Sequence, residues 1–246
     1  MRKYTAKFIV TKEDQHWLMK SANSKRMMDL RNLANGFIAS MNQRWNEDAC
    51  KVFYLGHGTT FLTVGNSEAL YASHTIKGTG DTQYNNFGSG DTQRALSATA
   101  VVDGIAKMNR FQDHNGVQLL PVRNINIIVS PENISVANEI LTSRQGPTNA
   151  NLGLQQGSAE ALAKRGITIR AIEAADIPYA YKNYWALVET NRAKSRAFMA
   201  YAWKPEMDEE PEIQNGTRIY AGSTVFGPVL LGWQWTLGST GAGTGI

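Results

Sequence analysis

Residues 23–53, NSKRMMDLRNLANGFIASMNQRWNEDACKVF, carry apolar side chains at Met27, Leu30, Leu33, Ala34, Phe37, Ile38, Met41 and Trp45. The intervals fall between three and four, the period of one helical face. No proline interrupts the run. The stretch predicts one long amphipathic helix. At 1.5 Å per residue it extends about 45 Å, long for an ordinary compact domain, and implies an elongated molecule.

Upstream, residues 2–10 alternate imperfectly and predict a short extended arm. Thr11 followed three residues later by Asp14 has the spacing of a capping box, so a helix should start there and break near residues 21–24 before the long one. Downstream, residues 56–90 are dense in Gly, Thr, Ser, Asn and Asp and read as a long loop, with the tetrapeptide Gly-Asp-Thr-Gln at 80–83 and again at 90–93. Ser97 can cap a helix bearing Val101, Ile105, Met108 and Phe111, with Asn115-Gly116 as its stop. Residues 125–129 read as a strand. Ser130-Pro131-Glu132 then opens a helix over 132–141, because proline suits the first helical position and an acid the first turn. Residues 145–157 read as an exposed loop.

Residues 167–172, 184–188 and 197–203 are apolar and β-prone, and predict neighbouring strands of one sheet. Residues 217–226 and 230–237 predict two further strands around Gly227-Pro228. The Gly- and Ser-rich residues 238–245 read as a flexible tail unless another chain holds them.

The 246 residues, 42% hydrophobic and 19% charged, suffice for one sizeable core or two small ones, which excludes general disorder and a disulfide-stapled mini-protein. No uncharged apolar run approaches the ~20 residues that cross a bilayer, and Met1-Arg2-Lys3 leads into no apolar signal core. A soluble chain without an export signal is expected. Cys50 is the sole cysteine, so no internal disulfide or CxxC site is available, and a reducing compartment such as a bacterial cytoplasm fits. The net charge of +4 is unevenly spread: residues 1–31 hold eight basic and three acidic side chains, whereas residues 204–213 hold five acids and one base. Nucleic-acid binders more often gather Arg and Lys with aromatics on one element. Opposite patches instead suit contact between copies of the chain.

Signals of catalysis are poor. Gly56-His57-Gly58 lacks the ending of a Walker loop and the setting of GxGxxG, and reads as a histidine in a flexible glycine turn. His16, His74 and His114 lack the i, i+4 spacing that puts two imidazoles on one metal. Ser73-His74 and Asp113-His114 could join a triad, but no GxSxG elbow accompanies them. The carboxylates Glu47-Asp48 and Asp208-Glu209-Glu210 read as solvated faces, and Cys50 as a small helix residue. No catalytic residue, cofactor or metal is expected. Trp185 and Trp203 read as core, while Trp233 and Trp235 share one strand face by period-two spacing.

The order of these segments resembles that of tailed-bacteriophage major head proteins. The likeness is carried by Glu68-Ala69-Leu70-Tyr71-Ala72-Ser73-His74, the Gly/Asn-rich loop, the helix from Ser97, Asn115-Gly116, and residues 125–129 leading into Ser130-Pro131-Glu132. It continues through Ile172-Glu173-Ala174-Ala175-Asp176-Ile177-Pro178, Tyr184-Trp185-Ala186-Leu187-Val188, Lys204-Pro205-Glu206, and Trp233-Gln234-Trp235 with Gly238-Ser239. It is nearest to the Mu-like major head subunits within the Hong Kong 97-type capsid fold.

The resemblance implies an α+β fold with a long spine helix, a peripheral domain with long β-strands and an axial domain of helices flanking a β-sheet. It divides the chain into an N-terminal arm (1–22), a peripheral domain with spine helix and Gly-rich loop (23–96), an axial domain (97–205), and a return to the peripheral domain with a β-hairpin and flexible tail (206–246). It departs from the family at the N-terminus, where members usually carry an extended arm and β-hairpin before the spine. Either that hairpin is minimal here or the chain is a shortened form, and no lysine–asparagine crosslinking pair is nominated.

The implied function is a non-enzymatic major capsid protein. It would assemble in the host bacterial cytoplasm, as hexamers and pentamers, into the icosahedral shell of a virion around double-stranded DNA bound without sequence specificity. A portal and a separate scaffolding protein are the other implied partners, and no membrane is. Candidate inter-subunit contacts are Lys3, Lys7, Lys12, Arg26 and Arg44, the acids Glu206, Asp208, Glu209, Glu210 and Glu212, and Trp233 and Trp235. The competing readings are a small hydrolase using His74 or His114, and a sheet-based nucleic-acid-binding module.

Overall fold

The computed structural model describes residues 2–11, 25–64, 67–87, 93–142, 162–212 and 217–241. The chain divides into two compact units, Met1–Asp48 with Met199–Pro228, and Ala49–Phe198 with Val229–Ile246.

The first unit is built on strand β1 (Arg2–Val10), which pairs antiparallel with β8 (Thr217–Leu230) from Arg2 opposite Phe226 to Val10 opposite Arg218. Strand β7 (Ala197–Glu212) flanks β8 on its other side, giving the order β1-β8-β7. Alternation along β1 leaves Lys3, Thr5, Lys7 and Ile9 exposed, while Tyr4 is half-buried. Tyr4 stacks on Phe226 with ring centroids 4.7 Å apart and donates its hydroxyl to Asp48 at 2.6 Å. Asp48 lies on helix α1 (Lys25–Tyr54), the long helix read from the sequence. The same helix packs Trp45 on Tyr201 and Phe226, and Phe37 lies so close over Gly222 that any Cβ there would overlap its ring.

The second unit surrounds a four-stranded sheet. Its order is β5 (Thr168–Glu173), β4 (Asn124–Val129), β6 (Trp185–Glu189) and β9 (Thr236–Ser239), with β4 parallel to β5 and the other pairs antiparallel. All five residues of β6 and all four of β9 are buried. Helix α2 (Ala98–Met108) starts as its sequence requires: the Ser97 hydroxyl accepts the Ala100 N–H, and Val101, Ile105 and Met108 enter the core with Ile125, Ile127, Leu187 and Leu237. A single 3-10 turn, Pro131–Asn133, leads into α3 (Ile134–Thr142). A short antiparallel pair, β2 (Ser73–Thr75) and β3 (Thr82–Tyr84), interrupts the Gly-rich stretch, and α4 (Thr190–Arg196) follows β6.

Several expectations need correction. Helix α2 stops at Met108 with Asn109 as its cap, while Asn115-Gly116 forms a separate turn in which Gly116 takes φ +82° and the Asp113 carboxylate accepts the N–H groups of Asn115 and Val117. Residues 197–203 do not join the sheet of β5 and β6; they begin β7 in the other unit's sheet, and β4 lies between β5 and β6. Gly227-Pro228 is no turn, since β8 runs through it. Pro228 falls just past Phe226, the last residue laddered to β1, so its missing N–H costs that ladder nothing.

Residues 236–239, split in the sequence reading between the end of a hairpin strand and the start of a flexible tail, form the buried strand β9 on β6. Trp203 is 46% exposed and so is not core, whereas Trp185 is. Residues 12–24, 145–157 and 242–246, read as helix start and break, loop and tail end, lie outside the described residues.

Candidate assembly surface

The acidic and basic stretches meet the fold in one sheet. Lys3 and Lys7 project from the exposed face of β1, and Glu206 is exposed on β7, with Asp208, Glu209, Glu210 and Glu212 further along the same strand. The strand order places the basic and acidic strands on opposite sides of β8. Arg26 lies in the first turn of α1, and Arg44 is paired with Glu47 one turn away at 2.6 Å. Lys12 lies outside the described residues.

Trp233 and Trp235, expected at a subunit contact on one strand face, are instead buried in a turn before β9. Trp233 stacks on His74 at 4.6 Å and meets Phe111 edge-on, and Trp235 donates its indole N–H to Gly232 O and packs edge-on against Phe53. The ring faces of both and the indole N–H of Trp235 are used within the unit, which leaves the charged residues as the exposed candidates.

Two apolar features accompany those charges. In the first unit, α1 and the sheet enclose a groove of about 230 Å³ lined by Phe37, Ile38, Met41, Tyr201 and Phe226. In the second, Leu120 (85% exposed) and Leu231 (66%) stand out in solvent. Arg192 fixes the backbone at Leu120, donating to its carbonyl and to those of Met108 and Gln234, and the Leu231 N–H bonds Arg196 O. Burial pulls the Arg192 pKa down, partly offset by Glu189. No sequence pattern announced this arginine hub, because its three acceptors are backbone groups distant along the chain.

Of the described histidines, His74 and His57 are held within the fold. His74 is buried, with Nδ1 on Glu68 at 2.7 Å and Nε2 facing Leu70 O and Asn85 Oδ1, so both ring nitrogens are engaged and neither faces a hydroxyl nucleophile. Beside His114, the Asp113 carboxylate is committed to backbone N–H groups. His57 sits in the expected turn but against the rings of Tyr71 and Tyr184, and burial lowers its pKa to about 4. Burial likewise pushes the Cys50 thiol up. Among the described residues no group of three or more His, Cys, Asp or Glu is placed to hold a metal, and no helix is long and apolar enough to cross a membrane.

No protein-family model matches the chain, and no curated protein sequence does. Solved structures do. The mature capsid of bacteriophage PhiM1 aligns over 97% of this chain and 70% of its own, at 12% identity and a TM-score of 0.52. The holo-SrpI encapsulin complex from Synechococcus elongatus PCC 7942 aligns over 97% and 73%, at 9% identity and a TM-score of 0.53. The chain has the Hong Kong 97-type capsid fold, in the α+β form read from the sequence.

Proposed function

We propose that the protein is a shell-forming subunit, the major capsid protein of a tailed bacteriophage, nearest to the Mu-like head proteins. The observation that carries this reading is a capsid fold aligned over nearly the whole chain. The unit of β1, β7 and β8 acts as the peripheral part and the unit around the four-stranded sheet as the axial part. Residues 49–96, assigned to the peripheral part on sequence grounds, cluster with residues 97–198.

The work is mechanical. Each subunit touches several neighbours in hexamers and pentamers, and it leaves only when all contacts fail together, so contacts that are individually weak close a durable shell. Lys3, Lys7 and Lys12 of one copy meet the acids Glu206 to Glu212 of the next, steering lateral docking. The shell forms in the bacterial cytoplasm with a portal and a scaffolding protein, and holds double-stranded DNA through sequence-blind contact.

The encapsulin likeness favours a second reading, a self-assembled shell of that kind. Light scattering and negative-stain microscopy of the purified chain test both: megadalton particles or capsomers are expected, and a monomer under every concentration and precipitant condition overturns both. Nuclease-protected double-stranded DNA inside particles recovered from a producing host selects the virion.

A further inference from the structure

Strand β4 opens with Asn124-Ile125-Asn126, putting a residue type that strands disfavour at two alternating positions. Across the parallel ladder Asn124 is level with Thr168 and Asn126 with Arg170, so four polar residues form one block on a sheet face. Helix α4 closes over the block. The Asn126 amide donates to the Thr190 hydroxyl at 3.2 Å, and Lys194 completes the wall of an open cavity of about 270 Å³.

Arg170 and Lys194 are both exposed, and neither has an ion-pair or hydrogen-bond partner among the described residues. Among the described residues no carboxylate lines the cavity. The buried Glu189 lies behind the wall, accepting the Arg192 N–H at 2.6 Å and, from two lining residues, the Asn124 N–H and the Asn191 amide, each at 3.4 Å. A second basic groove, near Phe87, offers a contrast: there Arg94 is paired with Asp103, and Lys107 donates to Asn86 O at 2.7 Å. There Arg94 and Lys107 are already engaged and a carboxylate, Asp103, shares the lining, whereas Arg170 and Lys194 of the β4–β5 cavity are spare.

A guanidinium, an ammonium, a hydroxyl and carboxamides around one concavity, with no acid among its described lining residues, are the donor set of an oxyanion site. The volume is below the ~300–1,000 Å³ of pockets for drug-sized ligands and suits a small charged group. We propose that this cavity binds phosphate, with Arg170 and Lys194 as the charged clamps and Thr168 and Asn124 as neutral donors. The phosphate belongs either to a nucleic-acid backbone or to a free polyphosphate. The inference stands whether or not the chain closes into a shell.

Calorimetric titration of the full chain with sodium tripolyphosphate, and separately with a short duplex DNA, tests it. Saturable binding is expected, weakened roughly tenfold or more by Arg170→Gln with Lys194→Gln and unchanged by Arg94→Gln. A duplex response that loses about 2 from its log–log salt slope in the double variant identifies the backbone as source, and a response to tripolyphosphate alone identifies the free anion. Should the double substitution disturb folding, Lys194→Gln alone is expected to weaken binding several-fold. Absence of binding to both probes, or unchanged binding in the variants, overturns the proposal.

Discussion

His57 shows how one buried group sets a pH limit. Its Nε2 has no hydrogen-bond partner among the described residues, and burial holds its pKa at about 4 against 6.5 when unfolded. Between these values the unfolded chain takes up a proton that the folded chain refuses, so stability falls as pH falls. The contribution is intact above about pH 6.5, declines by roughly 3 kcal/mol towards pH 4, and changes no further below. His57→Phe is expected to remove that part of the acid sensitivity, read as a smaller drop in urea midpoint between pH 7 and pH 4 than the parent shows.

Tyr4 is the second informative residue. Burial, with Asp48 adding to it, pushes its hydroxyl up to about 12, so it remains a donor to that carboxylate at any ordinary pH. Tyr4→Phe takes one partner from the buried Asp48 and should cost about 1–3 kcal/mol, seen as faster amide exchange along β1.

At the scale of elements, Gly222 is the seat of α1 on the sheet. Gly222→Ala forces its methyl into the Phe37 ring and is expected to lower stability by about 1–3 kcal/mol; Phe37→Leu in the same chain should return part of the loss, measured by chemical denaturation. Local signals predicted the elements whose reasons are local. The apolar period of α1, the Ser97 cap and Pro131 at a helix start all act within a few residues.

The failures have physical causes. Five acids argue against a strand, yet β7 continues through them because β8 supplies a ladder. Gly227-Pro228 carries a turn signal, but its cost depends on where the β1 register ends, which no window of sequence contains. Of the candidate contact residues, Lys3, Lys7 and Glu206 are exposed, as charge implies, while Trp233 and Trp235 proved internal because their partners, His74, Phe111 and Phe53, lie far away in sequence.

At the scale of the whole molecule, the proposed contact between charged strands would make assembly tunable. Reversing Glu206, Asp208 and Glu210 to lysine is expected to suppress particle formation at low salt, and mixing with a Lys3→Glu, Lys7→Glu chain to restore it. Light scattering across a salt series reads both effects, and particle yield indifferent to either change would remove the charge contact from the account.

The ladder between Arg2 and Phe226 also fixes an order of events. Strand β1 waits for β8, which begins only at residue 217, whereas β4, β5 and β6 of the four-stranded sheet lie within residues 124–189. Closing so distant a pair is slow. The edge bearing Lys3 and Lys7 is therefore finished only once the chain has been made as far as residue 226, and in the proposed shell a half-made subunit would have no completed edge with which to join a growing wall.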